Sequence, residues 1–254
     1  MENALLIGLS RQMALQRELD VVANNIANLN TTGFKADGNV FREYLMPVAR
    51  SDNFVGADRR MSFVLDRATW HNLGGGTIQQ TGNPLDVAID GDAFLVVQTP
   101  QGERYTKNGA LQINAQGELV TGDGYRILGD NGPIAFQQGD RNIAISREGT
   151  ITVKEGNNVA ESQRGRLRLV GFAQPERLEK AGTSLFAAPA GLAPQPVPTA
   201  GVVQGSIEKS NVSAVSEMTR MIEVTRTYTA VAGMLQSEHE LRRTAIERLA
   251  EVPV

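Results

Sequence analysis

Both ends of this chain carry a long apolar run on alternating three- and four-residue steps, with no proline inside either run. In the first, Leu5, Leu15, Leu19, Val22, Ile26 and Leu29 share one stripe, Gly8 and Gln12 fall in the same series, and Leu6, Leu9 and Met13 widen it. In the second, Met218, Met221, Thr225, Tyr228, Ala232 and Leu235 keep the step, with Val215 and Ile222 flanking it. Such spacing places side chains on one face of an α-helix, and a narrow seam of this kind calls for a second long helix beside it. The pattern predicts helices over residues 3–28 and 213–249, with Ser213 as the N-cap of the second. A single amphipathic helix gains most of its stability from packing, so the two are expected to pair as a coiled coil. Leu6, Leu9 and Met13 lie off the shared seam, so the termini are also expected to pack against other chains. Glu217 with Arg220, Glu223 with Arg226, and Glu238 with Arg242 are spaced to pair along the solvated face of the second helix.

Between the helices the grammar changes. From Gly74 onward, turn signals such as Gly82-Asn83-Pro84, Asp90-Gly91-Asp92, Asn108-Gly109, Gln116-Gly117, Asn131-Gly132-Pro133 and Gly156-Asn157-Asn158 recur at intervals of roughly 8–12 residues. Short runs rich in Val, Ile, Leu and Phe lie between them, among them Leu85–Ile89, Ala93–Val97, Asn142–Ile145 and Arg166–Val170. That predicts a domain of short antiparallel strands, with Leu111–Val120 a hairpin turning at Gly117. Pro189, Pro194, Pro196 and Pro198 mark an extended, semi-rigid stretch rather than a packed one. Residues 34–73 read poorly: Phe34, Val40, Phe41, Tyr44, Leu45 and Met46 suggest a short element, Ser51–Arg60 looks like a loop and Met61–Leu65 a strand. The expected class is α+β, with N- and C-terminal helices flanking a central all-β domain. Its divisions are an N-terminal helical part over 1–33, a connecting segment over 34–73, a β-domain over 74–186, a linker and return over 187–212, and a C-terminal helix over 213–254.

Composition narrows the function classes. With 254 residues the chain can bury a substantial core, and a net charge of −3 without a basic cluster argues against nucleic-acid binding. The apolar Ala4–Ile7 lacks a basic segment before it, so no cleaved signal peptide is expected, and no apolar run approaches the roughly 20 residues that span a bilayer. Cysteine is absent, and the two histidines, His71 and His239, have no second ligand at metal spacing. No nucleophile motif, phosphate loop or dinucleotide fingerprint is present. Asp90-Gly91-Asp92 lacks the spaced oxygens of a calcium loop and reads as a turn. Catalytic residues, metal, cofactor and small-molecule substrate are therefore all expected to be none. Two apolar stripes bracketing a β-domain point to a self-assembling structural protein, or alternatively to a β-domain adhesin or binding module with dimerising helices.

One short stretch carries more information than its composition. Ala23-Asn24-Asn25-Ile26-Ala27-Asn28, followed by Thr31 or Thr32 and Gly33-Phe34-Lys35, resembles the signature that flagellar rod and hook proteins carry after their first helix. Thr81 and Pro84-Leu85-Asp86-Val87-Ala88-Ile89 with Gly91 and Phe94, then Tyr105-Thr106-Lys107-Asn108-Gly109, are similar to further segments of that family. Gly205-Ser206-Ile207-Glu208 with Ser210-Asn211-Val212, and then Met218, Met221-Ile222, Arg226 and Tyr228, resemble its C-terminal pattern. These motifs occur in the family's order over nearly the whole chain. Asp92 stands where glycine is usual, and Thr227 precedes Tyr228 where Ala or Phe is common. The opening Met1–Gln12 resembles proximal-rod members more than distal-rod members, the distal rod being the second choice.

The resemblance implies a subunit of the flagellar basal-body rod, crossing the periplasm and exported by the flagellar type III apparatus without a cleaved signal. Its partners would be copies of itself and other rod proteins. The terminal helices would form the inner layer of a helical tube and the β-domain an outer one, together passing torque from motor to hook. Leu15, Leu19, Val22 and Ile26 are then expected to pair with Met218, Ile222, Tyr228 and Leu235 within or between subunits, and Leu5, Leu6 and Ile7 to be read by the export gate.

Overall fold

The computed structural model describes residues 2–47, 60–156 and 161–250, with side chains within 7–40, 70–156 and 161–248. The expected loop over 51–60 lies outside the described residues save for Arg60, as do Asn157 and Asn158, and so do the side chains of Leu5 and Leu6. The chain divides into two compact units. The helical unit comprises Met1–Ala27, Asp37–Trp70 and Ser213–Val254, and the β unit comprises Asn28–Ala36 and His71–Val212. The architecture is α+β, two terminal helices bracketing many short antiparallel strands.

The helical unit is built on α1 (Glu2–Ala27) and α2 (Ala214–Ala250). They run antiparallel: Gln12 Nε2 donates to Tyr228 Oη (3.0 Å), Arg220 reaches Glu18 (2.8 Å), and Asn25 Nδ2 donates to Glu217 Oε2 (3.3 Å). Near the start of α1, a Cβ on Gly8 would stand 2.6 Å from Leu235 Cδ2, so the missing side chain is what lets Leu235 approach. Ala14, Leu15, Val22 and Val224 are the buried apolar residues of the pair. Two further segments, β1 (Asp37–Pro47) and β2 (Arg60–His71), pair as a two-stranded ribbon. The short element expected from Val40 to Met46 is the first of these strands, and the strand expected over Met61–Leu65 lies in the second.

In the β unit the strands are β3 (Ile78–Gln80), β4 (Val87–Asp90), β5 (Phe94–Thr99), β6 (Gly102–Thr106), β7 (Leu111–Ile113), β8 (Leu119–Thr121), β9 (Arg126–Gly129) and β10 (Gly132–Pro133). They continue as β11 (Asp140–Ile145), β12 (Thr150–Glu155), β13 (Glu161–Arg166), β14 (Leu169–Gly171), β15 (Glu179–Lys180), β16 (Leu185–Ala187), β17 (Gln195–Pro196), β18 (Gly201–Gln204) and β19 (Ser206–Glu208). The largest sheet runs β15-β16-β6-β5-β9-β8-β7, with β14 also on β5, β17 on β14 and β10 on β9. At its centre β5 buries both faces. Leu95 and Val97 enter one apolar cluster with Leu119, Ile127 and Ile151, whereas Phe94 and Val96 enter a second with Tyr105 and Phe186. That is why Ala93–Val97 reads as a continuous apolar run and not as an alternation. Strands β11, β12 and β13 form a separate meander whose Ile145, Ile151 and Val153 join the first cluster.

The proline-rich stretch departs from expectation. Leu192 and Val202 are buried, β17 pairs with β14, and β18 pairs with β4. Leu192 and, in part, Val197 pack between the prolines, and Pro196 sits in an edge strand, where proline is tolerated. β19 then pairs with β3, so the first and last strands of the unit lie together.

Candidate functional site

The Asn-rich stretch after α1 divides between the units. Its first half works in the helical unit. Asn25, buried, makes a two-way bond with the backbone of Asp37: its Nδ2 donates to Asp37 O (2.8 Å) and its Oδ1 accepts from Asp37 N (2.9 Å). The same Nδ2 lies 3.3 Å from Glu217 Oε2, so one side chain ties α1 to β1 and to α2. Asn24 Nδ2 donates to Asp37 Oδ2 at 3.2 Å.

Its second half works in the β unit. Asn28 accepts from Thr31 through both its backbone carbonyl and its side chain, while Thr32 is half-buried. Gly33 holds φ +67°, and a Cβ there would stand 2.4 Å from the carbonyl carbon of Lys107, so both conformation and space require glycine. Phe34 is fully buried beneath the Lys180 ammonium, which stands 4.0 Å from its ring centroid. Lys35 Nζ donates to Glu208 Oε1 (2.6 Å) and to Gly74 O (2.8 Å), its side chain 0% exposed and that of Glu208 3%. Gly76 N donates to the same Glu208 oxygen at 2.7 Å. Burial pushes the Lys35 ammonium below the usual lysine range, outweighing the Glu208 carboxylate that acts to raise it. Asn211 completes the arrangement: its Oδ1 accepts from Ala36 N (2.8 Å), its Nδ2 donates to Asn72 O (2.7 Å) and Gly74 O (3.0 Å), and its N–H donates to Phe34 O (3.4 Å).

The other signature positions shape turns nearby in the chain. Asp86 accepts from Thr81 Oγ1 (2.7 Å) and Asn83 Nδ2 (3.0 Å), Pro84 O accepts from Gln204 Nε2 (2.8 Å), and Gly91 turns the chain at φ +110°. Ser210 Oγ accepts from Val212 N. A separate ion-pair cluster, Asp140–Arg164–Glu155, braces the meander. The Arg164 guanidinium bonds Asp140 in bidentate fashion and holds its carboxyl below the usual range.

The seam residues separate into two groups. Leu15 and Val22 are buried, and Leu19, Ile26, Tyr228 and Leu235 are half-buried. Met218 and Ile222 instead lie 51% and 55% exposed, beside Val215 at 78%. The inward face of α2 runs through Glu217, Met221, Val224, Tyr228 and Leu235. Sequence reasoning missed Val224 and assigned Glu217 and Arg220 to each other, whereas Glu217 takes Asn25 and Arg220 takes Glu18. The expected Glu238–Arg242 pair does form along α2, at 2.9 Å. A groove of about 770 Å³ opens along the helix pair, with Leu15 and Val224 among its lining and Arg11, Glu18, Arg220 and Glu223 supplying charge. Leu9 and Met13 of α1 are also more than half exposed, and Ile7 is half-buried. Among the described residues no three His, Asp or Glu side chains stand close enough to hold a metal ion, and no helix is long and apolar enough to cross a membrane.

Three family models match the chain in succession. Residues 5–35 match the flagella basal body rod protein family, residues 88–153 the flagellar hook protein FlgE/F/G D1 domain, and residues 203–248 the flagellar basal body rod FlgEFG protein C-terminal family. The flagellar basal-body rod protein FlgF of Caulobacter vibrioides is 40% identical, across 99% of this chain and 100% of its own length. The chain belongs to the flagellar basal-body rod protein family. It resembles the FlgF branch more than the FlgG branch: FlgF of Mesorhizobium japonicum is 32% identical over 98% of both chains, and the FlgG of Caulobacter vibrioides, the same bacterium as the 40% match, is only 32% identical. As a rod-family member the chain is a structural subunit of the basal body, assembling with copies of itself and with other rod and hook proteins. The first and last family matches cover the segments that contribute Lys35 and Glu208.

Proposed function

We propose that this rod-family subunit fills the proximal rod and polymerises there into the helical drive shaft that passes torque from motor to hook. The observation that carries the reading is the apolar surface left on the helical unit, Leu9 and Met13 on α1 with Val215, Met218 and Ile222 on α2. Side chains of this kind at helical spacing are satisfied by a further helix laid alongside, and a tube of identical subunits supplies one. Within a subunit Tyr228 then meets α1 near Gln12 and Leu235 meets it at Gly8, whereas Met218 and Ile222 pair between subunits. Many lateral seams share the load and no catalytic step is involved. The chain reaches the periplasm through the flagellar type III apparatus, with Leu5, Leu6 and Ile7 of an uncleaved N-terminus read at the export gate.

The test is a deletion strain, with basal bodies isolated and probed for this chain in the complemented parent. Loss of swimming and of hooks on deletion, with the chain present in the purified rod and no rescue by the bacterium's own FlgG, is the expected result. Normal swimming and intact basal bodies without the chain would overturn the reading and favour a binding module with dimerising helices.

A further inference from the structure

The side chains of Lys35, Glu208 and Asn211 belong to neither hydrophobic cluster of the β unit, yet Lys35 and Glu208 are among its most deeply buried residues. They join three segments far apart in sequence: 33–36, 72–76 and 208–211. Four amides report the junction. Gly33 N donates to Glu208 O (2.8 Å), Gly76 N to Glu208 Oε1 (2.7 Å), Ala36 N to Asn211 Oδ1 (2.8 Å) and Asn211 N to Phe34 O (3.4 Å). The packing is close enough that a Cβ on Gly76 would stand 1.9 Å from the Lys209 carbonyl oxygen. The junction is also incompletely satisfied, because Glu208 Oε2 is buried with no hydrogen-bond partner among the described residues.

A buried ion pair adds little to stability compared with an apolar pair of the same shape, but breaking one side of it leaves an uncompensated charge at high cost. A buried polar network with one atom unsatisfied is a weak point relative to a dry apolar core. Closing the junction ties all three segments through this one pair, with Leu73 of 72–76 also resting on the second cluster. We propose that this closure is a latch: segments 33–36, 72–76 and 208–211 open and shut together while the sheet around β5 stays folded, and the Lys35–Glu208 pair sets the balance. The pair is directional, since Gly76 N–H requires an acceptor at position 208.

The experiment is native-state hydrogen exchange on the purified full chain in low denaturant, resolved to single amides. In the unmodified chain the amides of Gly33, Ala36, Gly76 and Asn211 should share one opening equilibrium, weaker than that of Val97 and Ile127 in the core sheet. Glu208→Gln should speed exchange at those four amides by roughly a hundredfold or more while leaving the core sheet unchanged. The double variant Lys35→Met/Glu208→Gln, which removes the stranded charge and keeps an oxygen for Gly76 N–H, should recover much of the loss, and the swap Lys35→Glu/Glu208→Lys should not. Exchange of the four amides at the core's rate in the unmodified chain, or at four unrelated rates, would overturn the latch, and so would equal loss throughout the core on Glu208→Gln. The measurement on the unmodified chain decides the matter even if the variants fail to fold, and it is independent of the place the subunit takes in the rod.

Discussion

Along β5 of the β unit, every side chain from Phe94 to Val97 is buried; along the first turns of α2 in the helical unit, Val215, Met218 and Ile222 are each more than half exposed. Both stretches are apolar. The strand is covered by its own chain on both faces, because neighbouring strands and two clusters close over it. The helix is covered on the face that carries Val224, whereas Val215, Met218 and Ile222 stay open to solvent. The polar anchors differ in the same sense. In the β unit an ion pair is shut away from water, whereas Arg220 and Glu18, which join the two helices, stay partly in solvent. One unit covers its apolar residues within a single chain, and the other leaves a stripe of them exposed.

The comparison breaks first if the β unit is not self-sufficient. Leu95 is fully buried at the centre of the larger cluster, so Leu95→Ala should cost about 2–5 kcal/mol and move the whole β-sheet transition in urea. A loss below about 1 kcal/mol would mean that the cluster collapses around the gap and that its packing is not what holds the unit. The next effect belongs to the helical unit alone. Asn25→Ala strips partners from the backbone N–H and C=O of buried Asp37 and should cost about 1–3 kcal/mol. Trp70 is the only tryptophan of the chain and lies in β2 of this unit, where its ring covers Gly38. Its fluorescence transition should therefore fall to lower urea while the far-ultraviolet signature of the sheet holds. Movement of both transitions together would mean that the two units unfold as one.

This contrast was partly legible in the residues. The helices print their period, and the glycine-marked turns print the hairpins, because each signal is local. Gly33 was readable as a turn for the same reason. The role of Lys35 was not, since its partner Glu208 lies 173 positions away and no local pattern links them. The inward face of α2 was legible only in part, for a different cause. Met221, Tyr228 and Leu235 are common to both readings, but the inward face also carries Glu217, which Asn25 holds, and a count of apolar residues passes over an inward carboxylate. The packed course of residues 187–205 was hidden by its prolines, which mark extended backbone without saying whether it is covered.

The smallest expected change in the isolated chain is the one that sharpens the comparison most. Met218→Ser/Ile222→Ser alters two side chains that are already half in water, so the stability of the purified monomer should stay within about 0.5 kcal/mol per site. Apolar seams between subunits would nevertheless be lost at every contact along a polymer, and rod assembly should fail, read as absence of hooks on isolated basal bodies. The two readouts separate the alternatives. A large fall in monomer stability would place Met218 and Ile222 in the subunit's own packing, and the exposed stripe would then be no assembly surface. Unchanged stability with normal rods would leave α2 apolar there for a reason unrelated to its neighbours. Unchanged stability with no rods is the outcome expected of a half-built helical core that only a second subunit completes.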